Sequence, residues 1–314
     1  MTTPNTYIGR RKSQLSVAPL KNLCTDLGVE IHYIPESKRD FRQWPLPRPF
    51  DIDATQTESE NDKHVLITAS FGRILTKKHL SAFPPHHRIN VHPSLLPKHR
   101  GPAPIQHTLL QTPTTISHSG QWQTGVSIVQ MLPKDQGIDA GPLFAQDSFS
   151  IRPQSDFTSL RDFLGKAGGQ TLVGVLRNLL VKLRRREEVE LSPQVGEPTH
   201  AGMIKPQDGQ LDFTEDTAED ITRRYRAFGH QRPLYTFFNG GKTIQFHGVS
   251  ISESKPDNIA LVSGKLVIPC AGSSWLEVKE VKVEGRNRIP AKSWWNGLRS
   301  APQFTSNPPE CKNA

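Results

Sequence analysis

Short β-branched, apolar runs separated by polar, proline-containing stretches set the pattern of the first half of the chain. Val65 to Thr68, Arg88 to Val91 and Gly125 to Met131 have the character of buried strands, and Glu30 to Ile34 predicts another. Leu20 to Leu27 and Thr76 to Ala82 predict helices, and Pro104 to Leu110 a helix opened by its proline. Leu160, Leu164, Leu172, Val175, Leu179 and Leu183 recur at helical spacing, so one long helix is expected from a cap at Ser155 or Asp156 to about Arg186. Strands alternating with helices define an α/β class. Asp40 to Lys63 breaks the pattern. It is polar and Pro-rich, with the tract Thr55 to Asp62, and is expected to be a partly disordered surface insertion. Beyond the polar stretch Glu187 to Thr199, Asp220 to Phe228 predicts a helix. Thr243 to Val249, Leu261 to Ile268 and Trp275 to Val283 predict strands of a small β-barrel, with Gly, Ser and Asn turns between them. The domains are therefore drawn at 1–187 and 199–305, with a linker over 188–198 and a tail over 306–314.

The chemistry concentrates in Arg88-Ile89-Asn90-Val91-His92-Pro93-Ser94-Leu95-Leu96-Pro97. Side chains two apart on a strand point the same way, so Asn90 and His92 share a face. Pro93 has no N–H for the ladder and ends the strand there, at the carboxyl end where α/β sheets bind ligands. A carboxylate follows in Gly137-Ile138-Asp139-Ala140-Gly141, a loop flexible enough to reach the pair. Asn, His and Asp without an activated Ser or Cys suggest a transfer that polarises a carbonyl and moves protons without a covalent enzyme intermediate. Each residue also has an ordinary alternative. A lone histidine on an apolar strand is most often a hydrogen-bonded core residue. Asp139 between glycines could be a turn residue capping backbone N–H groups, and Asp135 competes with it as the functional carboxylate.

Net charge adds a partner. At +9 over 314 residues, the chain favours a polyanion. The basic clusters Arg10-Arg11-Lys12, Lys98-His99-Arg100, Arg184-Arg185-Arg186 and Lys279/Lys282 with Arg286/Arg288 are each, taken alone, solvated faces. Cys24, Cys270 and Cys311 show no CxxC spacing. Histidines crowd the stretch from His64 to His118, but without metal-binding spacing or a cysteine among them, so no metal is expected. No apolar run approaches the roughly 20 residues of a membrane span, and no membrane partner is expected. The first 25 residues lack Asp and Glu but hold Arg10, Arg11, Lys12 and Lys21, a composition that imitates a mitochondrial transit peptide.

Four segments together resemble a known family. Asn90 to Pro97, Arg100-Gly101-Pro102-Ala103-Pro104-Ile105-Gln106, Thr124-Gly125-Val126-Ser127-Ile128 and Asp139-Ala140-Gly141 resemble the 10-formyltetrahydrofolate-dependent formyltransferases, in the branch acting on methionyl-tRNA. The resemblance runs from about Gly9 to about Trp295. It implies a Rossmann-like formyltransferase domain followed by an OB-like barrel, with 10-formyltetrahydrofolate as co-substrate and initiator methionyl-tRNA as partner. In its terms Asn90, His92 and Asp139 are catalytic. Ser94, Leu95, Leu96 and Pro97 bind folate, with Ser70-Phe71-Gly72-Arg73 as the other wall. Arg10, Arg11 and Lys12 form an internal loop facing tRNA rather than a transit peptide. A monomer in the mitochondrial matrix, of fungal type, is the expectation.

Members of that family place an apolar strand and a glycine-containing turn ahead of the basic loop. Here Met1 to Tyr7 offers no strand by its residue types, so an N-terminally shortened chain is expected. Two alternatives stay open: another folate-dependent formyltransferase or hydrolase, and a catalytically degenerate relative that binds RNA or folate only.

Overall fold

Pro93 sets the geometry of the first structural unit by stopping the strand that carries the catalytic candidates. The computed structural model describes residues 1, 6–8, 14–50, 64–112, 122–238 and 241–306. Contacts divide them into two units, one of Met1–His92, Ser127–Gln146 and Gln170–Gly196, the other of Pro93–Val126, Asp147–Gly169 and Glu197–Ala314.

In the first unit, β1 (Thr6–Ile8) pairs antiparallel with β2 (Gln14–Ser16). This corrects the expectation that Met1 to Tyr7 holds no strand: Thr6 and Tyr7 pair with Ser16 and Leu15 in a separate two-stranded ladder. The next elements are α1 (Pro19–Asp26) and α2 (Lys38–Gln43). Glu30 to Ile34 is not a strand, holding only a single bridge residue at Tyr33. Nor does a surface insertion begin at Asp40. Ser37 caps α2 by accepting from the Asp40 N–H at 3.0 Å, and the helix buries Phe41. Phe41 joins Ile34, Leu46, Leu66, Leu75, Leu80 and Phe83 in one apolar core. Two or three well-spaced apolar residues in a polar stretch were enough to anchor it. Residues 51–63 of the expected insertion lie outside the described residues.

The sheet on which the site is built runs β3 (Leu66–Ala69), β4 (Arg88–His92), β5 (Gln123–Gln130), β6 (Leu143–Ser150). Strand β3 is parallel to β4, with Thr68 beside Asn90. Strand β5 is antiparallel to β4, with His92 opposite Ser127, so the sheet is mixed. The expected helix at Thr76 to Ala82 is α3 (Lys77–Ser81), closed by a capping box in which His79 and Thr76 exchange hydrogen bonds.

The long helix is present as α5 (Phe157–Arg185), after α4 (Pro104–Gln111). Of the two proposed caps, Asp156 serves: its carboxylate accepts from the Ser159 N–H at 2.8 Å. That bond, with the Ser159 hydroxyl, holds the Asp156 carboxyl below its usual range. No helix among the described residues is long and apolar enough to cross a membrane.

The second unit carries a seven-stranded antiparallel sheet curled into a half-barrel, in the order β13 (Phe304–Thr305), β7 (Leu234–Phe238), β8 (Lys242–Ile251), β11 (Ser274–Val283), β10 (Lys265–Cys270), β9 (Ala260–Val262), with β12 (Arg288–Pro290) on β11. Leu261 to Ile268 is thus two strands rather than one. Ser263 and Gly264 both take positive φ and turn the chain between them. Helix α6 (Ala218–Phe228) is capped by Thr217 and buries Ile221 and Phe228. Trp294 of α7 (Ala291–Asn296) packs on Phe238 and Phe304 and belongs to the core of this unit.

His247 on β8 buries its Nε2 without a hydrogen-bond partner. Burial, then the nearby Arg288, pushes its pKa below the ordinary histidine value. Because the folded state favours the neutral ring, this contribution is present above about pH 6.5 and is lost as pH falls through the folded pKa. Thermal unfolding should therefore show Tm falling between about pH 7.5 and about pH 5, and falling less in His247→Leu. Equal pH dependence in the two proteins would show that His247 does not report this burial.

Candidate active site

Strand β4 presents Asn90 and His92 on one face, as alternation requires, and both face the same carboxylate. Asn90 Nδ2 donates to Asp139 Oδ1 at 3.3 Å. His92 Nδ1 lies 3.6 Å from Asp139 Oδ2, within ion-pair reach but longer than a hydrogen bond. Catalytic contacts are often this loose before substrate closes them. His92 is 4 % exposed, so the pair works where water screens poorly. Asp135, the competing carboxylate, sits exposed on the 3-10 turn Lys134–Gln136.

The route by which Asp139 arrives is not obvious from the topology. Because β5 is antiparallel to β4, it ends at Gln130 opposite Ile89, near the start of β4. The chain then loops back. Gln130 N–H donates to the Pro142 carbonyl at 2.9 Å, closing the base of an Ω-like loop that carries Asp139 over the sheet face. A Cβ on Gly141 would overlap the Gln130 carbonyl oxygen, so glycine is required for this closure. Asp139 itself sits at φ +56°, a left-handed conformation that Asp tolerates better than most residues. Gln194 clamps the loop, its Nε2 donating to the carbonyls of Asp139 and Gly141, each at 2.8 Å.

Two residues at this site escaped the sequence reading. Thr68 donates to Asn90 Oδ1 at 2.8 Å. The signal was a hydroxyl in an otherwise apolar strand, but its alignment with Asn90 depends on register. Gln194 lies in a stretch read as linker, with no local signal at all.

The Ser94 to Pro97 segment belongs to the second unit. The Ser94 hydroxyl donates to the Lys98 carbonyl at 2.6 Å, and Ser94 and Leu96 are buried. The Arg100 N–H and the Ala201 N–H bond across to the carbonyls of Thr199 and Arg100. Gly101, at φ +113°, lets that segment approach His200 and Ala201 closely. Phe71 of the expected second wall packs on Phe41, and Arg73 donates to the Glu36 carbonyl at 2.9 Å. Arg10, Arg11 and Lys12 lie outside the described residues.

Comparison with known proteins places the chain in a family. The family model described as Formyl transferase matches residues 20–176, and that described as Formyl transferase, C-terminal domain, matches residues 203–299. The solved structure of HypX from Aquifex aeolicus in complex with tetrahydrofolic acid has a similar fold, at TM-score 0.52 and 16 % identity over 74 % of this chain and 38 % of that one. The class is therefore that of formyl-transferring enzymes. Methionyl-tRNA formyltransferase of Thermus thermophilus is 35 % identical over 240 residues, covering 76 % of this chain and 72 % of that one. The mitochondrial methionyl-tRNA formyltransferase of Bos taurus is 30 % identical over 278 residues, 84 % of this chain and 64 % of the bovine one. The chain belongs to the methionyl-tRNA formyltransferase family.

Gln194→Ala should loosen the Asp139 loop while leaving the fold intact. Two lost hydrogen bonds, worth about 1 kcal/mol each, should raise amide exchange across 137–141. Exchange in 137–141 unchanged from wild type would show that Gly141 and the loop base hold Asp139 without the clamp.

Proposed function

We propose that the chain transfers the formyl group of 10-formyltetrahydrofolate to the amine of methionine esterified to initiator tRNA, for translation initiation in the mitochondrial matrix. The observation that carries this reading is the single carboxylate shared by Asn90 and His92 beside the carboxyl end of β4. That donor set suits a neutral carbonyl under attack by an amine. It provides an N–H for the oxygen that gains charge and an imidazole for the proton, and no residue in it is an activated nucleophile.

In the proposed chemistry the co-substrate supplies the formyl carbon, which the amine nitrogen bonds as its bond to the folate nitrogen breaks. Asn90 Nδ2 stabilises the formyl oxygen through this exchange. With His92 Nδ1 turned towards Asp139, Nε2 is proposed to take the amine proton and return it to the departing folate nitrogen. Asp139 fixes the ring and stabilises its charged form, as a buried carboxylate beside an imidazole does. Ser94, Leu95, Leu96 and Pro97 follow the catalytic strand directly in the chain and are proposed to hold the pterin. With Ser94 and Leu96 buried, backbone groups and the half-buried Leu95 are the surfaces offered. The bovine relative's mitochondrial name supports the organellar setting. The net charge of +9 supports a tRNA partner, with Arg10, Arg11 and Lys12 proposed to meet phosphates. Division into a catalytic domain over 1–187 and an OB-like domain over 199–305 belongs to the same proposal.

Formylation of charged initiator tRNA by purified protein tests the whole reading. His92→Ala and Asn90→Ala should each cut the rate by about 10² or more, with tRNA affinity nearly unchanged. Wild-type rates in either variant would remove that residue from the mechanism. Replacing Arg10, Arg11 and Lys12 together with Gln should weaken tRNA binding and flatten its salt dependence by about one unit of slope per lost phosphate contact. An unaltered slope would return the cluster to the role of a solvated loop.

A further inference from the structure

An asparagine amide is useful as an oxyanion donor only if its nitrogen, not its oxygen, faces the reacting carbonyl. The two ends are nearly alike in size, so partners must hold the orientation. At Asn90 one partner is the Asp139 carboxylate, which can only accept and so draws Nδ2 towards it at 3.3 Å. The other is Thr68, whose hydroxyl donates to Oδ1 at 2.8 Å. Thr68 Oγ1 also lies 3.2 Å from Met131 Sδ. A hydroxyl has one proton, and an amide oxygen is a much better acceptor than a thioether, so the proton goes to Asn90. Parallel pairing of β3 with β4 sets Thr68 directly beside Asn90, and Thr68 is 8 % exposed, so water competes poorly for either group.

We infer that Thr68 is a positioning residue, its hydroxyl locking the Asn90 amide with Nδ2 turned to the reacting carbonyl. This rests on the proposed formyl transfer for the consequence in rate, but the locking itself is a property of the folded protein. The argument is one of complementary chemistry. An acceptor-only group holds the nitrogen end and a donor holds the oxygen end, so reversing the amide would set oxygen against carboxylate and exchange the Thr68 donation to Oδ1 for a weaker one to Met131 Sδ. One Nδ2 proton serves Asp139, and its twin is held in a fixed direction for an incoming oxygen. Without the hydroxyl, Oδ1 lacks that donor, and the side chain gains freedom to tilt or rotate. A loss of geometry rather than of binding follows, since Thr68 itself is not proposed to touch either substrate.

Thr68→Val keeps the shape and removes the hydroxyl. It should lower kcat about tenfold while KM for both substrates stays within about twofold, and Thr68→Ser should recover most of the rate. In an Asn90→Ala background the Val substitution should cost nothing further, because the group it positions is gone. A Thr68→Val enzyme with wild-type kcat, beside an impaired Asn90→Ala enzyme, would overturn the inference. So would a tenfold loss that persists in the Asn90→Ala background, which would mark a general packing role. Asparagine-selective ¹⁵N labelling reads the lock without turnover. The Asn90 side-chain amide protons should be shifted from the positions of a free asparagine amide and slow to exchange with solvent in the wild type, and in Thr68→Val should move towards those positions and exchange faster. The same amide signals in both proteins would overturn the lock, whereas changed signals in a protein that transfers no formyl group would uphold it and overturn the proposed function alone.

Discussion

The Asp139 carboxylate is the constraint on which the site depends. A carboxylate taken largely out of water must be met by donors or by positive charge, or the structure pays several kcal/mol. Here an amide N–H from Asn90 and the Nδ1 edge of His92 meet it from neighbouring positions on one strand face. The same contacts orient the ring and the amide, so satisfying the carboxylate and fixing the geometry of the candidate site are one event. Thr68 completes the arrangement from the adjacent strand.

Much of the surrounding backbone exists to deliver that one group. Strand β5 ends at Gln130, one residue past the partner of Asn90, and the chain returns through a loop closed at Gln130 and Pro142. The return brings two backbone demands: Gly141 where a side chain would strike the Gln130 carbonyl, and a left-handed Asp139. Strain of this kind persists only where other interactions over-determine it. The double donation from Gln194 is the interaction that does so here.

The second unit obeys simpler rules. Its half-barrel alternates buried and exposed positions, and Leu234, Phe246, Leu266, Leu276, Val278 and Val281 are fully enclosed. Turns that need positive φ fall on Ser263 and Gly264, Ser273 and Gly272, and Gly285. The exposed Lys279 and Lys282 lie on β11, Arg286 in the turn after it and Arg288 on β12, and Arg288 pairs with Glu280 at 3.4 Å. Apart from that pair, their charge adds to the basic balance of the chain rather than to the fold.

Local sequence determined whatever depends on neighbours along the chain. Apolar periodicity gave the long helix and its capping region. Residue alternation placed Asn90 and His92 on one face, and Pro93, which cannot donate to a ladder, ended the strand where it does. Misreadings arose where the deciding partner is distant. Glu30 to Ile34 has strand-like residues but only a single bridge, and Phe41 makes a helix worthwhile in a polar stretch because Leu66, Leu75 and Leu80 wait to cover it. Between Asp135 and Asp139 the residues themselves offered no choice. Only the folded loop puts Asp135 in solvent and Asp139 on Asn90 and His92. Register between β3 and β4 brought Thr68 to Asn90, and a distant segment brought Gln194 to the loop. Such contacts join residues tens of positions apart, and a sequence pattern carries no distance information across that span; tertiary packing alone supplies it.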